Sequence, residues 1–155
     1  MIAFSVSIGG GLYGGYLSGA LIERGKSTSV ARKTALFICA LFVAPIVVAP
    51  FLHSLWAVVA VVCIAMAAHQ GWSANLFTVP SDLFPKSALA SVVGIGGAMG
   101  AVGGALLDLF VGHIVEWTRS YVPVFAVCGS MYFVALLLLH LFSPKFTPAK
   151  LGRGQ

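Results

Sequence analysis

A run of polar side chains interrupts one apolar stretch of this sequence, and these residues have the most chemistry to offer. The run contains His69, Gln70, Trp72, Ser73, Asn75 and Thr78. Polar groups inside an apolar segment are costly unless they find partners, so they mark functional sites by default. At about 100° per residue, His69, Trp72 and Ser73 share one helical face, which Gln70 and Asn75 cannot both join. We predict that some members line a polar cavity and that others bond to neighbouring helices.

The composition predicts that lipid is the solvent of this chain. Of its 155 residues, 59% are hydrophobic and 8% are charged, whereas a soluble domain carries about 25% charged residues. A water-soluble fold of this length buries only about two-thirds of the surface of its chain, which is too little to hide this composition. The net charge of +5 does not indicate nucleic-acid binding, because the basic residues do not interleave with aromatic residues on one face.

Five apolar stretches are long enough to cross a bilayer, which takes about 20 helical residues. They are predicted at Ala3–Ile22, Thr34–Leu52, Leu55–Val79, Ala88–Gly112 and Val122–Phe142. Continuous apolar runs of this length favour helices over the short alternating strands of a barrel. The sequence therefore predicts an all-α membrane protein, with a transmembrane bundle in residues 1–143 and a polar tail in residues 144–155.

The basic residues predict how the spans are oriented. Eight of the nine fall on one side of the predicted bundle, namely Arg24, Lys26, Arg32, Lys33, Lys86, Lys145, Lys150 and Arg153. The positive-inside rule places that side, with the C-terminus, in the cytoplasm and the N-terminus outside. Because the chain opens directly on an apolar span with an outside N-terminus, we expect it to be a fragment of a longer protein.

Glycines at helical spacing occur in the first and fourth spans. Gly11 and Gly15 form one small-xxx-small pair, and Gly96, Gly100 and Gly104 extend another. Hydrophobicity cannot drive helix association inside lipid, so close approach through glycine is a main route to packing. We predict that these five residues pack helices, although such faces also suit helices that slide or rock against each other.

Enzymatic and metal chemistry find little support in the sequence. A membrane serine protease needs an activated serine beside a histidine, and Gly71-Trp72-Ser73-Ala74 lacks the second glycine of a GxSxG motif. The three cysteines lie in apolar runs without a CxxC spacing, which indicates neither a disulfide framework nor a zinc site. We therefore predict no enzymatic activity, no metal site and no cofactor.

Two consecutive segments resemble the tenth span and following cytoplasmic loop of a known transporter family. They are His69-Gln70-Gly71-Trp72-Ser73-Ala74-Asn75-Leu76-Phe77-Thr78 and Ser81-Asp82-Leu83-Phe84-Pro85-Lys86. Ser91–Gly104 resembles the eleventh span, His140–Lys145 the end of the twelfth, and Gly14–Ser18 the eighth. The family is the anion:cation symporters of the major facilitator superfamily, and the likeness is to its hexuronate (sugar-acid) transporters.

The resemblance implies that the five spans are numbers eight to twelve of a twelve-span fold, whose substrate lies between two six-span halves. It implies proton-coupled uptake of a sugar acid such as a hexuronate by alternating access across the inner membrane. The missing N-terminal half of the transporter is then the partner of this chain. His69, Gln70 and Asn75 are expected to bond sugar hydroxyls, with Trp72 as an apolar wall, and most charged substrate-binding groups are expected in the missing half.

The resemblance also points to a cytoplasmic gate. In this family an acid usually follows the Leu-Ser pair of the eighth span, but Gly19 holds that position here. Glu23, one helical turn later, is expected to take its place. Arg24, Asp82 and Lys86 complete the loop residues that we expect to take part in gating.

Two other interpretations stay open. One is a different organic anion carried by the same family. The other is a stand-alone five-span structural or assembly subunit with no transport of its own. A genuine five-span protein should have its own start signals and partners, whereas a fragment should continue upstream in the same reading frame.

Overall fold

A computed structural model describes residues 2–146, and within them it contains five α-helices and no strand. The helices are α1 (Ile2–Glu23), α2 (Thr28–Val43), α3 (Leu55–Leu83), α4 (Lys86–Thr118) and α5 (Val122–Phe142). A 3-10 helix, Ala44–Phe51, continues α2. The predicted all-α fold is confirmed. Most of the predicted polar tail, residues 147–155, lies outside the described residues.

Four segments of the described chain are long and apolar enough to cross a membrane, which makes this a multi-pass membrane protein. They are Thr28–Phe51, Leu55–Leu83, Lys86–Thr118 and Val122–Phe142, with hydropathies between 1.6 and 2.4. The helix α1 is 22 residues long but is not among them, because glycine, serine and tyrosine dilute its apolar residues.

Prolines explain two of the helix boundaries. The α-helical part of the second span gives way to a 3-10 helix at Ala44, next to Pro45, whose nitrogen has no hydrogen to donate. Pro85 lies at the N-cap of α4 with an extended ψ of 155°. Pro80, by contrast, lies inside α3, which continues to Leu83, because a proline one turn from the end removes a single hydrogen bond. For this reason α3 is longer than predicted.

Glycines bring α1, α2 and α3 together at one junction. A Cβ atom built on Gly10 or Gly14 would overlap the backbone of Ala67 or Gly71 of α3. A Cβ atom on Gly71 would lie 3.0 Å from the carbonyl oxygen of Gly10 and 3.1 Å from Sγ of Cys39 in α2. The three helix backbones therefore approach closely here, and dispersion contacts replace the hydrophobic driving force that lipid does not supply.

The stripe of α1 that meets α3 differs by one residue from the predicted stripe. Beside Gly15 a Cβ atom would meet nothing within 4 Å, and beside Gly11 its nearest neighbour is Cβ of Gln70 at 3.8 Å. Gly10 and Gly14 make the close contacts instead. Both stripes have i, i+4 spacing, so spacing alone could not distinguish them.

The long helix α4 lies on the outside of the described bundle. None of its residues is buried, and Cβ atoms at Gly96, Gly100 and Gly104 would meet nothing within 4 Å in the part of the chain that the structure describes. The packing predicted for these glycines is therefore not made among residues 2–146.

Candidate functional site

An aromatic cluster joins α3 to α5 and consists of His69, Trp72 and Tyr132. Nδ1 of His69 lies 2.6 Å from the hydroxyl oxygen of Tyr132. The rings of Trp72 and Tyr132 meet edge to face, with centroids 5.1 Å apart and planes at 85°. Trp72 is 6% exposed, so a buried indole packs against the phenol whose hydroxyl contacts His69. The two predicted members of the cluster, His69 and Trp72, are thus brought together.

A cavity of about 400 Å³ opens beside the aromatic cluster, between α3, α4 and α5. Its walls include His69, Trp72, Ser73, Leu107, Cys128 and Tyr132. A largely apolar cleft with a few convergent polar groups is the usual form of a small-molecule site. The imidazole, the serine hydroxyl and the phenol supply these polar groups here. The cavity therefore suits a ligand that presents both hydroxyls and an apolar face.

Tyr132 is the member of this cluster that the sequence did not reveal. It lies in the apolar fifth span, and 63 residues separate it from His69. The only available signal was a phenol in a membrane-spanning segment, where such a hydroxyl usually has a hydrogen-bond partner.

Gln70 and Asn75 lie apart from the cavity. Gln70 is exposed and faces α1, where its Cβ is the nearest atom to a Cβ built on Gly11. Asn75 is fully buried, and its Nδ2 donates to the carbonyl oxygens of Gly14 at 2.8 Å and Gly71 at 2.9 Å. The Asn75 amide thus ties α1 to α3. In this conformation neither residue reaches the cavity that His69 and Trp72 line.

One guanidinium connects three helices near the loops that follow α1 and α3. Nε of Arg32 donates to Oδ2 of Asp82 at 3.0 Å, and Nη1 donates to Oγ of Ser18 at 2.8 Å. Nη1 also lies 3.5 Å from Oδ1 of Asn75. We call Ser18, Arg32, Asn75 and Asp82 the Arg32 network. The side chains of Arg32 and Asp82 are 15% and 21% exposed, so water screens their ion pair only in part.

Of the four loop residues predicted to take part in gating, the structure places only Asp82 in this network. Glu23, Arg24 and Lys86 are exposed, and the single ion pair among residues 2–146 is Arg32–Asp82. Glu23, which was expected to take the place of the acid that Gly19 replaces, therefore forms no ion pair within residues 2–146 in this conformation. The hydroxyl of Ser18, one residue earlier, accepts a hydrogen bond from Arg32 instead. Ser18 was within the segments that carry the family resemblance, but its contact with Arg32 depends on the packing of α1 on α2.

Metal binding has no candidate in the described chain. Among residues 2–146, no three His, Cys, Asp or Glu side chains lie close enough together to hold a metal ion.

Known sugar-acid transporters are similar to this chain. A probable galactarate/D-glucarate transporter of Bacillus subtilis (strain 168) is 27% identical over 128 residues, which make up 83% of this chain and 28% of that protein. A probable galactarate/D-glucarate transporter of Escherichia coli (strain K12) is 28% identical over 124 residues, or 79% of this chain and 28% of that protein. A hexuronate transporter of Escherichia coli (strain K12) is 30% identical over 133 residues, or 84% of this chain and 30% of that protein.

These similarities confirm the resemblance predicted from the sequence. The chain spans less than a third of the length of the curated relatives that it matches. No protein-family model matches the chain. No solved structure matches it either.

Proposed function

We propose that this chain is the C-terminal part of a sugar-acid transporter of the major facilitator superfamily and supplies spans eight to twelve. The observation that carries the proposal is the similarity to three curated sugar-acid transporters over 79–84% of the chain. Four membrane-spanning helices support it. In this proposal α1 also crosses the membrane, as span eight of the transporter, and the partner is the N-terminal half of the same transporter.

The cavity beside the aromatic cluster is the part of the substrate-binding site that we assign to this chain. His69, Ser73 and Tyr132 carry the groups that would exchange hydrogen bonds with sugar hydroxyls, and Trp72 provides the apolar wall. Arg32 is already paired with Asp82. We therefore assign the cation that binds the substrate carboxylate, and the proton-coupling acid, to the N-terminal half.

We assign to the Arg32 network the role of a stable cytoplasmic contact between helices of this half. It fastens the ends of α1, α2 and α3 to one another, so that these helices move as one body during alternating access. The glycine face of α4 has no partner among residues 2–146. We assign it to contact with the other half, where small residues let two bundles rock at low cost.

The proposed location is the inner membrane, with the Arg32 network and the C-terminus on the cytoplasmic side. The basis is charge, because eight of the nine basic residues of the sequence lie on that side of the predicted spans. We also propose that the protein is a carrier and not an enzyme, in line with the transporter names of its relatives.

Uptake by whole cells tests this proposal. The reading frame is expressed with its native upstream sequence in a strain that lacks sugar-acid uptake, and entry of radiolabelled D-glucuronate and D-glucarate is measured. We expect saturable uptake that unlabelled sugar acids inhibit, that neutral glucose does not inhibit, and that a protonophore abolishes. Absence of uptake at normal membrane abundance would contradict the proposal, and stop codons directly upstream would favour a stand-alone five-span subunit.

A further inference from the structure

A second cavity, of about 460 Å³, lies between α2 and α5, away from the proposed substrate cavity. Its lining is polar at one end, where Lys33, Thr34 and His140 lie, and apolar further along. Phe37 lies about one helical turn after Lys33 in α2, and Phe133 lies about two turns before His140 in α5. Polar groups therefore gather where α2 begins and α5 ends, and apolar groups lie deeper in the bundle. We call this cavity the α2–α5 crevice.

The polar end of the crevice carries a positive charge that no carboxylate balances. Nζ of Lys33 donates to the carbonyl oxygens of Ser143 at 2.6 Å and Pro144 at 2.9 Å. Both acceptors are neutral, and so is the ring of Phe146, whose centroid lies 5.4 Å from Nζ. An ammonium group has three hydrogens to donate. Arg32–Asp82 is the single ion pair between residues 2 and 146. A charge held at the edge of a low-dielectric region without a counterion favours an anionic ligand.

The deeper end of the crevice is a hydrocarbon surface. Phe37 and Phe133 meet edge to face with ring centroids 6.4 Å apart and form its floor. Leu136 and Leu137 continue the wall along α5. Phe37 is 46% and Leu137 is 57% exposed, so this surface is open to an apolar chain that approaches from outside the bundle. Such a chain would gain dispersion contacts along the groove.

We propose that the α2–α5 crevice binds an anionic phospholipid of the surrounding bilayer. The phosphate pairs with Lys33 beside Thr34 and His140, and one acyl chain lies along Phe37, Phe133 and Leu137. From its polar end inwards, the crevice presents a charged group, then polar groups, then hydrocarbon, which is the order in which these groups follow one another in the lipid. Basic pockets between membrane helices on the cytoplasmic side bind anionic head groups in this manner. The proposal does not depend on which solute the protein carries.

Native mass spectrometry of the purified protein in detergent, expressed from the reading frame with its upstream sequence, tests the proposal, with phosphatidylglycerol and phosphatidylcholine added in parallel. We expect phosphatidylglycerol to bind at least about fivefold more tightly, the ratio that one lysine contributes near a charged surface. Lys33→Met keeps the aliphatic stem and should abolish this preference. Lys86→Met removes an exposed cation at the start of α4, outside the crevice, and should leave the preference unchanged.

A second pair of variants keeps the test valid if Lys33→Met weakens the fold, since Lys33 also holds the end of α5. Leu137→Trp fills the crevice without touching Lys33, whereas Leu138→Trp places the same bulk on the neighbouring exposed position outside it. We expect only Leu137→Trp to lose phosphatidylglycerol.

Three results would overturn the proposal. They are equal binding of the two lipids to the unaltered chain, equal effects within either pair of variants, and competition by inorganic phosphate at the concentrations where the lipid binds. The last result would assign the crevice to a small soluble anion.

Discussion

Asn75 forms fully enclosed polar contacts at a helix crossing. Its side chain is completely buried, and both backbone carbonyls that it bonds belong to glycines at the crossing of α1 and α3. An amide nitrogen has two hydrogens to donate, and both have an acceptor here. At the scale of the residue, Asn75 therefore acts as a clamp between two helices.

Asn75→Ala is expected to lower the free energy of unfolding by about 1 kcal/mol, the value of the helix–helix hydrogen bonds that it removes. Thermal unfolding of the purified chain in detergent measures the loss. Gln70→Ala, an exposed polar truncation on the same helix, is the control and should leave Tm unchanged. Equal Tm values for the two variants would contradict the claim that Asn75 stabilises the contact between α1 and α3.

Tyr132→Phe tests the aromatic cluster as part of the proposed substrate cavity. The change removes the hydroxyl that bonds His69 and keeps the ring that packs on Trp72. We expect the KM for sugar-acid uptake to rise about three- to tenfold with membrane abundance unchanged, which is the range for one lost hydrogen bond. Tyr121→Phe, an exposed tyrosine at the start of α5, should have no effect. Identical kinetics for the two variants would remove Tyr132 from the site.

At the scale of the helices, glycine position decides how closely α1 approaches α3. Gly14→Ala should destabilise the chain by about 1–3 kcal/mol, because the new methyl group overlaps the backbone of Gly71. Gly15→Ala places the same methyl group where nothing lies within 4 Å. Chemical denaturation in detergent compares the two. Equal destabilisation would contradict the Gly10–Gly14 stripe, and a larger loss at Gly15 would point to Gly11–Gly15 instead.

The ion pair of the Arg32 network should matter more than any exposed loop charge. Asp82→Asn leaves the partly buried guanidinium of Arg32 without its counterion and should cost about 2–3 kcal/mol. Glu23→Gln, which neutralises an exposed acid at the end of α1, should be neutral. Thermal unfolding of both variants tests this order of stability losses. The double variant Arg32→Asp with Asp82→Arg exchanges the two charges, and partial recovery of stability in it would attribute the loss to the ion pair. A larger effect at Glu23 would contradict the network.

Four of the five predicted spans are confirmed as long enough and apolar enough to cross a membrane, because their apolar runs are long. The last one, Val122–Phe142, has the same bounds in the prediction and in the structure. The interior contacts were harder to predict, because a helix that is apolar all round gives no sign of which face meets a neighbour. The glycine stripe of α1 was therefore one residue off, and Asn75 was expected in the cavity and not at a helix crossing. Tyr132 and Arg32 take their roles from partners at least 14 residues away, which no local pattern reveals.

At the scale of the whole molecule, the described chain has one well-packed side and one open side. Buried residues are concentrated in α2 and α3, whereas α4 has none. The proposed twelve-span transporter accounts for this asymmetry, because the open glycine face of α4 is where a second bundle would lie. The α2–α5 crevice, between two other helices, is left for lipid.

The most direct test of the central claim is transport by the purified protein in proteoliposomes. The reading frame that contains this segment is expressed with its upstream sequence, reconstituted, and given radiolabelled D-glucuronate with the outside more acidic than the lumen. The proposal predicts accumulation above that of protein-free liposomes, which disappears when the proton gradient is dissipated. Accumulation no greater than in protein-free liposomes, from protein that is folded and correctly inserted, would contradict it.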